Sequence, residues 1–122
     1  LPEGWRGPIV ASANSVLFTD DNARMFIYFG DATYFETVWQ IPAGADLAQA
    51  VEAAAGRVGG TAAESAEETI GRIDVMGKQT VGALYVIARE DGWVIVSAST
   101  PHRAFIRYAR EVFEPVVMAL AE

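Results

Sequence analysis

Two apolar runs, residues 80–90 and 93–99, flank the dipeptide Asp91-Gly92. Such a two-residue connection accepts the positive φ angles of a type I′ turn, whose twist matches that of the strands it joins. The chain therefore contains an antiparallel hairpin, and the rest must extend it or pack on it. Just upstream, residues 69–75 read as another strand, with Ile70, Arg72 and Asp74 alternating against Gly71, Ile73 and Val75. Residues 76–79 form its turn.

The first 40 residues also read as strands. Runs at 16–19, 24–29 and 34–41 are separated by Asp20-Asp21-Asn22 and by Gly30-Asp31, and the last stops at Pro42 and Gly44. Short turn signals between β-rich runs predict an antiparallel meander. Along 24–29, Met25, Ile27 and Phe29 alternate with Arg24, Phe26 and Tyr28, so both faces of this strand carry apolar bulk. A sheet of that kind is covered on each side or presents one face to a partner.

Helices are expected in two places. Asp46 caps the first, Gln49 completes a capping box, and Leu47, Ala50, Val51, Ala54 and Val58 recur at helical spacing. Gly56 or the pair Gly59-Gly60 ends it. The second opens with Thr100 as N-cap and Pro101 in the first turn. Its apolar face contains Phe105, Ala109, Val112, Phe113, Val116 and Leu120, and Pro115 inside the pattern should kink or break it. Residues 61–68 fit either a short helical turn or an exposed loop. The predicted order is β-meander, helix, β-meander, C-terminal helix: an α+β fold in one domain, residues 1–122.

Composition narrows the chemistry. The 122 residues are 52% hydrophobic and contain no cysteine, which excludes disulfides, thiolate metal sites and a cysteine nucleophile. His102 is the single histidine, so one chain cannot build a multi-histidine metal site. A net charge of −7 opposes broad binding to nucleic acid or anionic membranes. No apolar run approaches the ~20 residues that span a bilayer. Arginine outnumbers lysine, with Lys78 alone, and alanine is abundant, a bias expected of a GC-rich bacterial genome. Because the chain opens on Leu1 rather than Met, a signal segment or other leader is expected to have been removed.

Three candidate sites have ordinary structural explanations. Ser99 precedes His102 by three residues, but no G-x-S-x-G elbow surrounds it, and turn and capping roles account for Ser99 and Thr100. Asp20, Asp21 and Asp31 flank one hairpin and offer oxygen ligands to a hard cation, although aspartate is equally a turn residue. The glycines between Gly56 and Thr61 lack the lysine of a phosphate loop. Two surfaces remain. Tyr34, Phe35 and Trp39, with the edge of the N-terminal meander, form the expected protein-binding surface. His102, Arg103, Arg107 and Arg110 form the alternative, an anion-binding face on the last helix for a small ligand or a minor enzyme. Its competing explanation is helical pairing, Arg107 with Glu111 and Arg110 with Glu114.

An opening P-x-G-W (Pro2, Gly4, Trp5), the strand Val16-Leu17-Phe18 and a central helix beginning Asp46-Leu47 make up the first half of a family pattern. Trp93-Val94-Ile95-Val96-Ser97-Ala98-Ser99-Thr100-Pro101, then Phe105 in a long C-terminal helix, make up the second. The order resembles the PsbP-like superfamily, which includes extrinsic photosystem subunits, a Ran-binding nuclear import factor and bacterial envelope lipoproteins. The resemblance implies an α/β/α sandwich around an antiparallel sheet, no catalytic residues and no cofactor. It also implies a non-catalytic accessory domain of an exported bacterial protein, in the cell envelope, periplasm or medium, with the cytoplasm as the alternative location. The expected partner is another protein, with a weak homodimer through an edge strand as a further expectation.

Overall fold

A computed structural model describes residues 1–65 and 67–122. Seven strands form one antiparallel sheet: β1 (Arg6–Ser12), β2 (Ser15–Thr19), β3 (Arg24–Tyr28), β4 (Thr61–Ala63), β5 (Ile70–Met76), β6 (Thr80–Arg89) and β7 (Gly92–Pro101). Their order is β1-β2-β3-β7-β6-β5-β4, so the sheet stays open, with β1 and β4 at its edges. The hairpin around Asp91-Gly92 is its centre: β6 and β7 pair from Thr80↔Pro101 to Arg89↔Gly92, and Gly92 holds a φ of 146°.

Helices lie on both faces. On one, α1 (Ala32–Val38) and α2 (Leu47–Val58) bury Phe35, Trp39, Ala50 and Ala54 against Ile73, Leu84, Val86 and Ile95. On the other, the C-terminal segment buries Tyr108, Val112, Phe113 and Val117 against Met25, Tyr85, Ile87 and Val96. That segment starts as a 3₁₀ turn (His102–Ala104), continues as α3 (Phe105–Tyr108), widens to π-helical bonding over Ala109–Phe113 and ends as α4 (Glu114–Ala121).

The expected capping box of α2 is present, with Asp46 accepting from the Gln49 amide and Gln49 accepting from the Asp46 amide, each at 2.9 Å. Gly59 closes the helix in the left-handed conformation, φ 67°. Across from it, a Cβ on Gly71 would stand 2.2 Å from Val51 Cγ2. The alanine-rich face of α2 therefore sits unusually close to β5.

Four expectations need correction. Residues 34–41 are not a third strand: α1 occupies this region, because Asp31 caps it through the Tyr34 amide at 2.9 Å. Burial of Phe35 and Trp39, four residues apart on one helical face, outweighs the β-preference of an aromatic and β-branched stretch. The meander gains its third strand from β1 instead, an edge strand exposed along its whole length and therefore without the alternation that marks a half-buried strand. Residues 61–63 pair with β5 as β4, where a helical turn or loop was expected; Ala66, in the same stretch, lies outside the described residues. Finally, Thr100 and Pro101 end β7 rather than starting the helix, and the Thr100 hydroxyl donates to the Pro101 carbonyl at 2.9 Å.

Pro115 does not break the helix, which runs on through α4 to Ala121. A proline ring clashes with the carbonyl four residues back and has no N–H to donate. Just ahead of it the helix opens by one residue, and the Glu114 amide donates to the Ala109 carbonyl, five positions back.

Candidate binding cleft

The sheet is wider than its cover on the C-terminal face. Seven strands at ~4.8 Å spacing span about 29 Å, whereas a helix with side chains is about 10 Å across. The C-terminal segment packs mainly over β7 and β6, reaches β5 at the buried Ile70, and leaves Arg72, Asp74 and Met76 on the same face only partly covered. Strand alternation decides what is left there. Gly71, Ile73 and Val75 point toward α2, so Ile70, Arg72, Asp74 and Met76 line the opposite side.

Two adjacent hollows result, with Arg72 and Glu114 common to their walls. One, of about 240 Å³, has Ile70, Arg72, Tyr85, Glu114, Val117 and Met118 around it, with Glu64, Ser65 and Glu67 at its rim. The other, of about 600 Å³, shares Arg72 and Glu114 and continues past Asp74, Met76, Phe105, Ile106 and Arg110. Register brings the polar floor together: Arg72 is opposite Tyr85, and Asp74 opposite Ala83. Large apolar side chains stand exposed along the cleft, namely Met76 (71%), Ile106 (74%) and Met118 (43%).

The floor carries an unmet hydrogen-bonding demand. Tyr85 is only 3% exposed, and its hydroxyl has no hydrogen-bond partner among the described residues. Arg72 Nε is also buried without a hydrogen bond, although it stands 3.3 Å from Asp74 Oδ1 as an ion pair. Buried polar groups are nearly always satisfied, and leaving one unpaired costs about 1–3 kcal/mol. Burial pushes the Tyr85 phenol up to about 12, with Glu114 and Asp74 adding to the rise and Arg72 opposing it. Tyr85 is thus a neutral hydroxyl with a proton to donate across the physiological range.

The residues singled out from sequence are elsewhere or apart. Phe35 (1% exposed) and Trp39 (4%) are core beneath α1, which corrects their assignment to a docking surface. Tyr34 is half-buried and accepts from Trp39 Nε1 at 3.2 Å, while the Arg57 guanidinium lies 5.1 Å above the Trp39 ring. Helical spacing had turned the aromatics inward. Of the proposed anion-binding group, His102 Nε2 stands 3.2 Å from the Gly77 carbonyl and Arg107 lies 5.0 Å over the Tyr108 ring. Arg103 is exposed, and Arg110 lines the cleft. The structure does not bring these four into one pocket. Neither Arg107 with Glu111 nor Arg110 with Glu114 forms an ion pair among the described residues, since the π-helical turn shifts the phase of the helix between them.

Asp20 is engaged in structure. Its carboxylate accepts from the Asn22 and Ala23 amides at 2.8 and 2.7 Å and from the Tyr108 hydroxyl at 2.6 Å, tying the β2–β3 turn to α3. Among the described residues, no group of three or more acidic or histidine side chains is placed to hold a metal ion, and no helix is long and apolar enough to cross a membrane. Arg72, Tyr85 and Glu114 were not recognised from sequence as a group. The signal for them was the polar alternation of residues 70–74, whose meaning depends on the β5–β6 register. Comparison with protein-family models, curated proteins and solved structures yields no match to this chain.

Proposed function

We propose that this is a non-catalytic binding domain that holds a segment of a partner protein in the cleft between β5 and the C-terminal helices. The observation that carries the reading is the buried Tyr85 hydroxyl, without a partner among the described residues, on the floor of a hollow edged by the exposed Met118 and adjoining a second one edged by the exposed Met76 and Ile106. A partner's main chain supplies hydrogen-bond acceptors for such a floor, and its side chains cover Met76, Ile106 and Met118. The PsbP-like resemblance supports the same reading, and with it an α/β/α accessory domain of an exported bacterial protein.

Selection of displayed random peptides on the immobilised domain tests the cleft. Selected peptides should lose at least tenfold in affinity on an Ile106→Asp, Met118→Asp double variant whose melting temperature is within about 2 °C of the parent. Unchanged affinity on that variant would place binding elsewhere and end the proposal. Fractionation of cells making the full-length protein tests the exported location, which a wholly cytoplasmic pool would refute.

A further inference from the structure

We infer that the cleft selects a partner segment carrying a basic side chain, whose positive end pairs with the carboxylates around Tyr85 while a main-chain carbonyl accepts from the cleft floor. The inference rests on the cleft being the binding surface and adds the chemistry of what fills it. Two observations carry it. The first is the floor itself: Arg72 Nε can only donate, and the buried Tyr85 hydroxyl has a proton with no acceptor among the described residues, so an acceptor is what the floor calls for.

The second is the surrounding charge. The two hollows are lined by Glu64, Glu67, Asp74 and Glu114 against Arg72 and Arg110, four acids to two bases. An anionic acceptor would enter against that excess, whereas an amide carbonyl is neutral and fits it. A lysine or arginine on the same segment then meets the rim acids, and the −7 charge of the whole chain favours its approach. Glu114 is the central acid of this scheme because both hollows share it. Apolar neighbours of the basic residue fit against Val117 and Met118 in one hollow and Phe105 and Ile106 in the other.

Three dye-labelled, end-blocked pentapeptides test this by fluorescence anisotropy at low salt: Leu-Lys-Val-Lys-Leu, Leu-Gln-Val-Gln-Leu and Leu-Glu-Val-Glu-Leu. The lysine peptide should bind at least tenfold more tightly than the glutamine peptide, and the glutamate peptide more weakly than both. Glu114→Gln, at an exposed position, should reduce the lysine advantage about threefold. Tyr85→Phe should weaken the lysine and glutamine peptides alike. Equal binding of those two peptides to the parent overturns charge selection and leaves the cleft as the binding surface. Amide shift mapping with the lysine peptide separates the remaining outcomes. Shifts at Ile70, Val117 and Met118 support the inference, while shifts only elsewhere, or none from any peptide, overturn it together with the reading on which it rests.

Discussion

The two sides of β5 are a controlled comparison within one strand. Toward α2 it presents Gly71, Ile73 and Val75, and the helix comes so close that Gly71 has no room for a Cβ. Toward the C-terminal segment it presents Ile70, Arg72, Asp74 and Met76, and there the covering helix stops short. The backbone, neighbours and hydrogen-bond ladder are common to both sides, so the difference lies in the side chains and what covers them. Apolar and small residues draw the helix down, while the charged pair and the tyrosine hydroxyl lie beneath an open cleft with an unmet bonding demand among the described residues. One side holds the fold together and the other is available for binding.

Substitutions on the α2 side should cost most. Ile73 is fully buried (0% exposed) between α2 and the sheet, so Ile73→Ala removes packed methyl groups and leaves a cavity. A loss of about 2–5 kcal/mol is expected, read from urea unfolding midpoints at constant slope. A loss below about 1 kcal/mol would break the comparison, because the α2 side would then not be the one that stabilises the fold. Gly71→Ala comes next. Its Cβ would collide with Val51, a β-branched side chain with little rotamer freedom, at an expected cost of about 1–3 kcal/mol. Adding Val51→Ala should recover much of that loss; a strictly additive double variant would mean that the strand backbone, not the α2 contact, sets the cost.

The same contrast explains what the sequence made legible. Periodicity and caps identified α2 and the β6–β7 hairpin, because local signals and tertiary packing agree there: Asp46 and Gln49 form their box, and Gly92 takes its turn conformation. Around Tyr34, Phe35 and Trp39 they disagreed. The β-preferring composition pointed to a strand, while the Asp31 cap and the four-residue spacing of Phe35 and Trp39 were the signals that the folded chain followed. The cleft was hidden for another reason. Arg72 and Tyr85 are 13 positions apart, and only the β5–β6 register sets them side by side. Glu114 joins them through the path of the C-terminal helix, which no local pattern encodes.

On the cleft side the expected sign reverses. Tyr85→Phe removes a buried hydroxyl that has no partner among the described residues, so it should raise stability by about 1 kcal/mol while weakening peptide binding. Alkaline unfolding gives a second readout. In the unfolded chain the phenol titrates near its ordinary value of 10.0, whereas in the native state it is pushed up to about 12. Native protein therefore holds a proton that unfolded chain has lost, and this residue's contribution, complete below pH 10, falls away as pH rises to 12. Tyr85→Phe should flatten the decline in melting temperature over that window. An unchanged slope, together with a loss of stability, would mean that the hydroxyl is satisfied in solution and that the cleft has no unmet demand.

The smallest expected effect separates folding from binding most directly. Met76 ends β5 on the cleft side and is 71% exposed, so Met76→Ser uncovers little that folding had buried. Its stability should stay within about 0.5 kcal/mol of the parent, the usual range for surface positions. The same substitution removes apolar surface from the larger hollow, beside Ile106 on the facing helix. Peptide affinity should therefore fall several-fold while the unfolding midpoint holds. A stability loss as large as that of Gly71→Ala would make Met76 part of the fold and erase the distinction between the two sides of β5. A fall in affinity without it assigns this exposed methionine to the partner, since the folded chain gains nothing from keeping it there.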